Sequence, residues 1–276
     1  MTAAEKPLIG FPPPLLGERP ARLRVLLNDL ERGLIVVEKP ADVLPLPDNW
    51  YRRNPVLAYA INHQIEGGKP ELERLGWKTP LVAVHTYEPE IAGAVVFSSS
   101  EDGAERLRNE LAGLRWEFVF RFVAHGGGQA QELQCSLPIA RHERDPRMLV
   151  SHQTGKRAAT VFRAVRNLGR YREWEARIAY PRYHQLFLHA MESGLRVMGD
   201  LRYARFPVPG LADFKRDYRP SRRFEEDPPL FDSPLVRLAS LRLTDGRGGE
   251  DLITLPPPRK WDRALRLLEE FSGQSR

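Results

Sequence analysis

Short apolar runs alternate along this chain with segments whose apolar residues recur at helical spacing, and the change of period marks the elements. Residues 33–38 (GLIVVE) form a β-branched run that stops at Lys39-Pro40. Proline cannot donate to a ladder, so this reads as a buried strand ending there. Asn54-Pro55 opens a helix carrying Val56, Leu57, Tyr59, Ala60 and Ile61. Residues 66–78 are polar and glycine-containing, a loop or short helix. Residues 81–85 and 94–97 are two further β-type runs separated by the polar stretch 86–92. Ser98-x-x-Glu101 has the spacing of a capping box, and Ala104, Leu107, Leu111 and Leu114 follow it at helical intervals. Residues 117–124 (EFVFRFVA) make a strand that Gly126-Gly127-Gly128 ends. Residues 158–165 and 174–180 read as strands on either side of a turn at Gly169. Residues 206–229, rich in Pro, Arg and Asp, read as a long basic loop. Trp261, Leu265, Leu268 and Phe271 line an amphipathic C-terminal helix.

Strands and helices mix without a regular βαβ rhythm, so the fold class is α+β, with a mixed, largely antiparallel central sheet flanked by helices. The proline-bearing residues 1–20 read as an extended arm on the surface. Residues 21–276 read as a single domain, since no linker separates two cores.

Composition narrows the chemistry. The net charge is +6, and only seven of the 42 basic residues are lysine. Arginine presents a planar fork of donors suited to phosphates and base edges. A G+C-rich genome would produce the same bias, but a basic balance makes a polyanion the first partner to consider. Cys135 is the only cysteine, so no intrachain disulfide forms, in keeping with a reducing cytoplasm. No apolar run approaches the ~20 residues of a membrane span, and the N-terminus lacks the pattern of a signal peptide.

Taken singly, the candidate motifs are weak. His184 and His189 are five apart and no thiolate cluster is available, so they read as hydrogen-bonded histidines rather than metal ligands. No glycine-rich phosphate loop follows a strand. Glu88 and Glu90 lie in the polar stretch between two apolar strands, where a carboxylate can be held dry as nucleophile or base. The same spacing suits two solvated loop glutamates.

The order of segments is more informative than any one of them. LIVVEKPADVLPLP, NPVLAYAINHQI, LVAVHTYEPEIAGAVVFSSS, EFVFRFVAHG, SLPIARHERDPRM followed by GKRAATVFRAV, and AYPRYHQLFLHAMESGLRVMGDLRYA occur in that sequence. This succession resembles the RNA pseudouridine synthases of the large-subunit rRNA/tRNA type, from about Leu23 to Tyr203. The third segment is similar to the family's His-Arg-Leu-Asp-Arg-x-Thr-Ser-Gly motif. The last is similar to Arg-Thr-His-Gln followed by Gly-Asp-x-x-Tyr.

The resemblance implies the pseudouridine synthase fold, RNA (rRNA or tRNA) as partner, a flipped-out uridine as substrate, and neither cofactor nor metal; a monomer is expected, though the sequence does not fix the oligomeric state. It places Glu88 at the catalytic aspartate. His85, Phe120, Arg182, His184 and Gln185 fall around the substrate pocket, with Phe120 as the ring that stacks on the base. Lys39, Lys215, Arg216, Arg219, Arg222 and Arg223 are the expected RNA contacts. Gly194, Gly199, Asp200 and Tyr203 match as structural positions. The N-terminal RNA-binding module that often precedes this domain has no counterpart in residues 1–20.

Several family positions are altered. Thr86 and Pro89 stand where arginines flank the motif, Phe118 where a lysine is expected, and Phe187 where an arginine pairs with the catalytic carboxylate. Glu for Asp moves the carboxylate by about one bond length, and a misplacement of about 1 Å can cost on the order of a hundredfold in rate. Three readings stay open: an RNA-binding relative with weak or no turnover, an active isomerase using Glu88, and an interaction scaffold on the same fold.

Overall fold

The first five strands build one antiparallel sheet. They are β1 (Leu8–Phe11), β2 (Ala21–Asp29), β3 (Leu34–Lys39), β4 (Val82–Ala83) and β5 (Gly93–Ser98), paired in the order β1-β2-β3-β5-β4. The computed structural model describes residues 6–210, 212–213, 229–231, 233–245 and 248–271. β3 and β5 lie at the centre and are buried on both faces, which is why they read as continuous apolar runs rather than alternating ones. Their register sets Val37 opposite Val95 and Lys39 opposite Gly93. Helix α1 (Leu57–Glu66) buries Leu57, Ala60, Ile61 and Ile65. A short helix α2 (Pro70–Arg74) buries Leu72, and α3 (Glu101–Ala112) buries Ala104, Leu107 and Leu111. Each such side chain contributes roughly 1.5–3 kcal/mol when fully removed from water.

Two local expectations are corrected. Among the described residues 6–20 the chain is not a surface arm along its length: β1 pairs with β2, and Ile9 and Phe11 are buried. The prolines lie outside the strand and end its pairing without preventing it. The cap of α3 is Ser100, whose Oγ accepts from the Gly103 N–H at 3.1 Å. Ser98 is instead the last residue of β5, fully buried, so Glu101 opens the helix and no capping box forms.

The chain forms two compact units. One comprises Met1–Glu117, Ala179–Tyr183 and Ser240–Leu255; the other comprises Phe118–Ile178, His184–Ala239 and Pro256–Arg276. Because each is threaded by three segments, no single linker marks the division in the sequence.

The second unit begins with β6 (Glu117–Gly126), β7 (Glu132–Cys135), a small hairpin of β8 (Ile139–Arg141) and β9 (Met148–Val150), then β10 (Thr160–Leu168) and β11 (Tyr171–Ile178). Helix α4 (Gln185–Glu192), β12 (Leu195–Val197) and β13 (Val236–Thr244) follow. Its sheet runs β13-β6-β11-β10-β7, with β12 against β6. Gly169, at φ +65°, turns β10 into β11. The end of β13 pairs in the first unit with β14 (Glu250–Thr254). Helix α5 (Arg259–Phe271) closes the second unit's core, packing Trp261, Leu265 and Leu268 with Val123, Leu168, Met198 and Leu235. The α+β class holds.

Candidate functional site

In the first unit the loop between β4 and β5 carries the carboxylates. Val84 still pairs with Val96, through an N–H···O contact of 2.9 Å, and the chain then leaves the sheet until Gly93. Pro89 is the fixed point of this excursion. Its carbonyl accepts from the Asp42 N–H at 2.7 Å and from the Lys39 ammonium at 3.0 Å. Lys39 ends β3 and also donates to the carbonyls of Val43 (2.6 Å) and Pro40 (3.0 Å). Its nitrogen sits 5.1 Å from the centroid of the Tyr87 ring, and the Tyr87 hydroxyl donates to the Ala94 carbonyl at 3.1 Å. Glu88, between Tyr87 and Pro89, is 3% exposed.

Electrostatics follow from that burial. Desolvation outweighs the opposing pull of the Glu90, Glu88 and Asp42 carboxylates and leaves the Lys39 amine lowered to about 7. Three carbonyl acceptors fit an ammonium with all three protons in use, so the geometry holds the charged form. Burial, and then the neighbouring Glu88 charge, push the Tyr87 hydroxyl well above the usual phenol range. Lys39, expected to contact RNA, is corrected: it is 0% exposed and its protons are turned inward.

His85 is a packing residue of the same loop. Its Nε2 accepts from the Val96 N–H at 3.2 Å and its ring stacks on Tyr87. Burial alone lowers it to about 3, so the imidazole is neutral. Thr86, the replacement for a motif arginine, shares a hydrogen bond of 3.1 Å with the Tyr183 hydroxyl, and Tyr183 stacks on Tyr51 at 6.3 Å. Arg182 lies over the ring of Tyr180 at 4.8 Å. The structure thus collects Lys39, His85, Glu88 and Arg182 in one unit.

The second unit holds Phe120, His184 and Gln185. Phe120 is buried on β6, opposite Ala176 of β11. His184 takes φ +54° immediately before α4 and is 0% exposed. Arg202 donates to its Nε2 at 2.6 Å, so the neutral ring carries its proton on Nδ1 and donates to the Tyr203 oxygen at 2.8 Å. Burial, with the positive charges of Arg202 and Arg141, lowers His184 to about 2. The Tyr203 oxygen also accepts from the Met148 N–H at 2.8 Å. Asp200 builds the turn that delivers Arg202 and Tyr203: its carboxylate accepts from the backbone N–H groups of Arg202, Tyr203 and Ala204, each at 3.0 Å. Gly199 precedes it at φ +88°, and a Cβ there would meet the Pro234 Cα at 2.6 Å, which reserves the position for glycine.

Gln185 donates to the Ala159 carbonyl and to Thr160 Oγ1 at 2.9 and 3.1 Å. Thr160 Oγ1 in turn pairs with His189 Nδ1 at 2.9 Å, and His189 Nε2 donates to the Leu137 carbonyl at 2.9 Å. Both histidines therefore use their ring nitrogens within the protein, as the sequence reading expects. Among the described residues no group of three or more His, Cys, Asp or Glu is arranged to hold a metal, and no helix is long and apolar enough to cross a membrane. Lys215, Arg216, Arg219, Arg222 and Arg223 lie outside the described residues. Sequence reading missed Tyr87, Tyr183 and Arg202. Only Arg202 carried a local signal, lying inside the Gly-Asp-x-x-Tyr match.

No family model matches the chain. It is 23% identical over 261 residues to an uncharacterised RNA pseudouridine synthase of Chlorobaculum parvum, covering 92% of this chain and 76% of that one. It is 25% identical over 180 residues to the ribosomal large subunit pseudouridine synthase D of Haemophilus influenzae, 64% of this chain. It spans about half, 52%, of that relative's length. Its fold matches that of human RNA pseudouridylate synthase domain containing 4 with a TM-score of 0.63 at 15% identity, over 88% of this chain and 92% of that one. The sequence likeness runs through nearly the whole chain and the fold is shared, so this protein is similar to RNA pseudouridine synthases and has their fold.

Proposed function

We propose that this chain binds structured RNA, takes a uridine out of its stack and isomerises it to pseudouridine with Glu88 as the working carboxylate. One observation carries the reading: Glu88 is almost wholly buried on a loop clamped through the next residue by Lys39 and Asp42. Burying a carboxylate is costly, and a fold that holds one in a fixed place commits it to a task. The base detaches from the ribose, turns and rejoins through carbon. No atom is gained or lost, so the step itself calls for no cofactor. On this reading Arg182, in the same unit as Glu88, offers a cation to the phosphate of the extruded nucleotide.

A second reading, RNA binding without turnover, draws on two observations. Thr86 is engaged with Tyr183 where the family motif has an arginine, and Phe187 is buried in α4 where another is expected. One experiment decides between them. Pseudouridine is mapped across rRNA and tRNA in cells lacking the gene and in cells complemented with wild type or Glu88→Gln. A site that disappears on deletion and returns with wild type but not with Glu88→Gln establishes the isomerase. If no site depends on the gene, the isomerase reading falls.

A further inference from the structure

The second unit carries a hollow that none of the residues above explains. β12 pairs with the end of β6 so that Arg196 stands opposite His125, and Tyr171 opens β11 beside them. Phe206 lies over this corner. Its N–H donates to the Asp200 carbonyl and its own carbonyl accepts from the Gly199 N–H, both at 2.8 Å. The rings of His125, Tyr171 and Phe206 form a triangle with centroid separations of 6.4, 6.2 and 6.2 Å. Arg170 lies over Tyr171 at 5.1 Å and Arg196 over Phe206 at 4.7 Å. Together with Asp213 they line a pocket of about 310 Å³.

Tyr171 belongs to the core beneath and Phe206 packs against it, so the floor of the pocket is rigid. A core lid alone would account for those two rings. It would not account for two exposed guanidiniums set over them, nor for the exposed imidazole of His125 completing the ring set. Arg196 spends one donor on the Ala204 carbonyl at 3.4 Å, and a guanidinium carries five, so donors are left for a phosphate. Asp213 tempers the charge, but its carboxylate is engaged by the Gly210 N–H at 2.8 Å. Cations beside ring faces, on a preformed surface, are the pattern by which single-stranded nucleic acid is held: phosphates on the cations, bases on the rings.

We propose that this pocket binds one nucleotide of a single-stranded stretch of RNA, its phosphate on Arg170 and Arg196 and its base against His125 and Phe206. The proposal rests on the reading of the chain as an RNA-acting protein and adds an anchor formed by residues other than those of the Glu88 loop. The test uses the full chain and short, unstructured oligoadenylate, which has no uridine to isomerise. Replacing both arginines (Arg170→Gln with Arg196→Gln) weakens binding about tenfold and flattens the slope of log affinity against log salt by about 1. His125→Ala, an exposed change that leaves the core alone, weakens binding about fivefold or more by removing a stacking face. Unaltered affinity and salt slope in the double variant overturn the pocket, as does wild type that binds no oligoadenylate. The pseudouridine map reads the other proposal separately. Lost sites with unaltered affinity sink the pocket alone, and weakened affinity with no gene-dependent site sinks the isomerase alone.

Discussion

The Lys39 ammonium lies 3.0 Å from the carbonyl oxygen of Pro89, the residue that follows Glu88. A side chain at the end of one strand thereby pins the backbone fifty positions further on, next to the Glu88 carboxylate. Lys39→Met keeps much of the stem's volume and removes the donor shared by three carbonyls. The expected loss is about 3 kcal/mol, read as a lower urea midpoint. A midpoint equal to wild type would show that the ammonium does not hold this loop.

Two buried neutral histidines make the fold acid-sensitive. His85 and His184 have folded-state values near 3 and near 2, against about 6.5 in the unfolded chain. Both are neutral in either state above pH 6.5. As the pH falls through 6.5 the unfolded chain takes up protons that the folded chain refuses, so stability falls with pH. Each histidine then costs about 1.4 kcal/mol per pH unit, and the two together roughly 3 kcal/mol between pH 5.5 and 4.5. Urea midpoints at those two values, compared with one at pH 7.5, check this; a flat profile contradicts it.

Tyr203→Phe removes one hydroxyl and keeps the ring. It leaves the Met148 N–H and His184 Nδ1 without the acceptor both now use. Leaving buried donors unmet costs about 2 kcal/mol. Thermal unfolding should show it. A melting temperature equal to wild type would mean that water replaces the hydroxyl at no cost.

Side-chain length at position 88 is the remaining variable. If Glu88 reaches too far by about one bond, Glu88→Asp raises the single-turnover rate on the order of a hundredfold at unchanged RNA affinity, while Glu88→Gln abolishes it. A slower Asp variant would show that the loop is built around the longer carboxylate.

Much of the fold is legible along the chain. The run that stops at Pro40 is β3, the aromatic run from Glu117 is β6, and Trp261, Leu265 and Leu268 do face a core. The Gly-Asp-x-x-Tyr match has a physical content, since Asp200 receives three backbone N–H groups and Gly199 admits no Cβ. Local signals misled where two partners compete for one role. Ser98 and Ser100 both suit a helix cap, and only the length of β5 decides between them. The first residues look like a loose arm because their strand partner is another segment of chain, not a local period.

The amino-acid sequence by itself determined the elements, the α+β class and the order of motifs that resembles the RNA pseudouridine synthases, because periodicity, proline stops and turn glycines act over a few residues. Only the tertiary structure decided which polar side chains are removed from water and what they hold. Lys39 looks like an RNA-contacting cation until the carbonyls of Val43 and Pro89 are seen to converge on it, and His184 looks like a substrate-pocket residue until Arg202 and Tyr203 occupy both its nitrogens. Burial is a property of residues distant in sequence and close in space, and no local pattern encodes it.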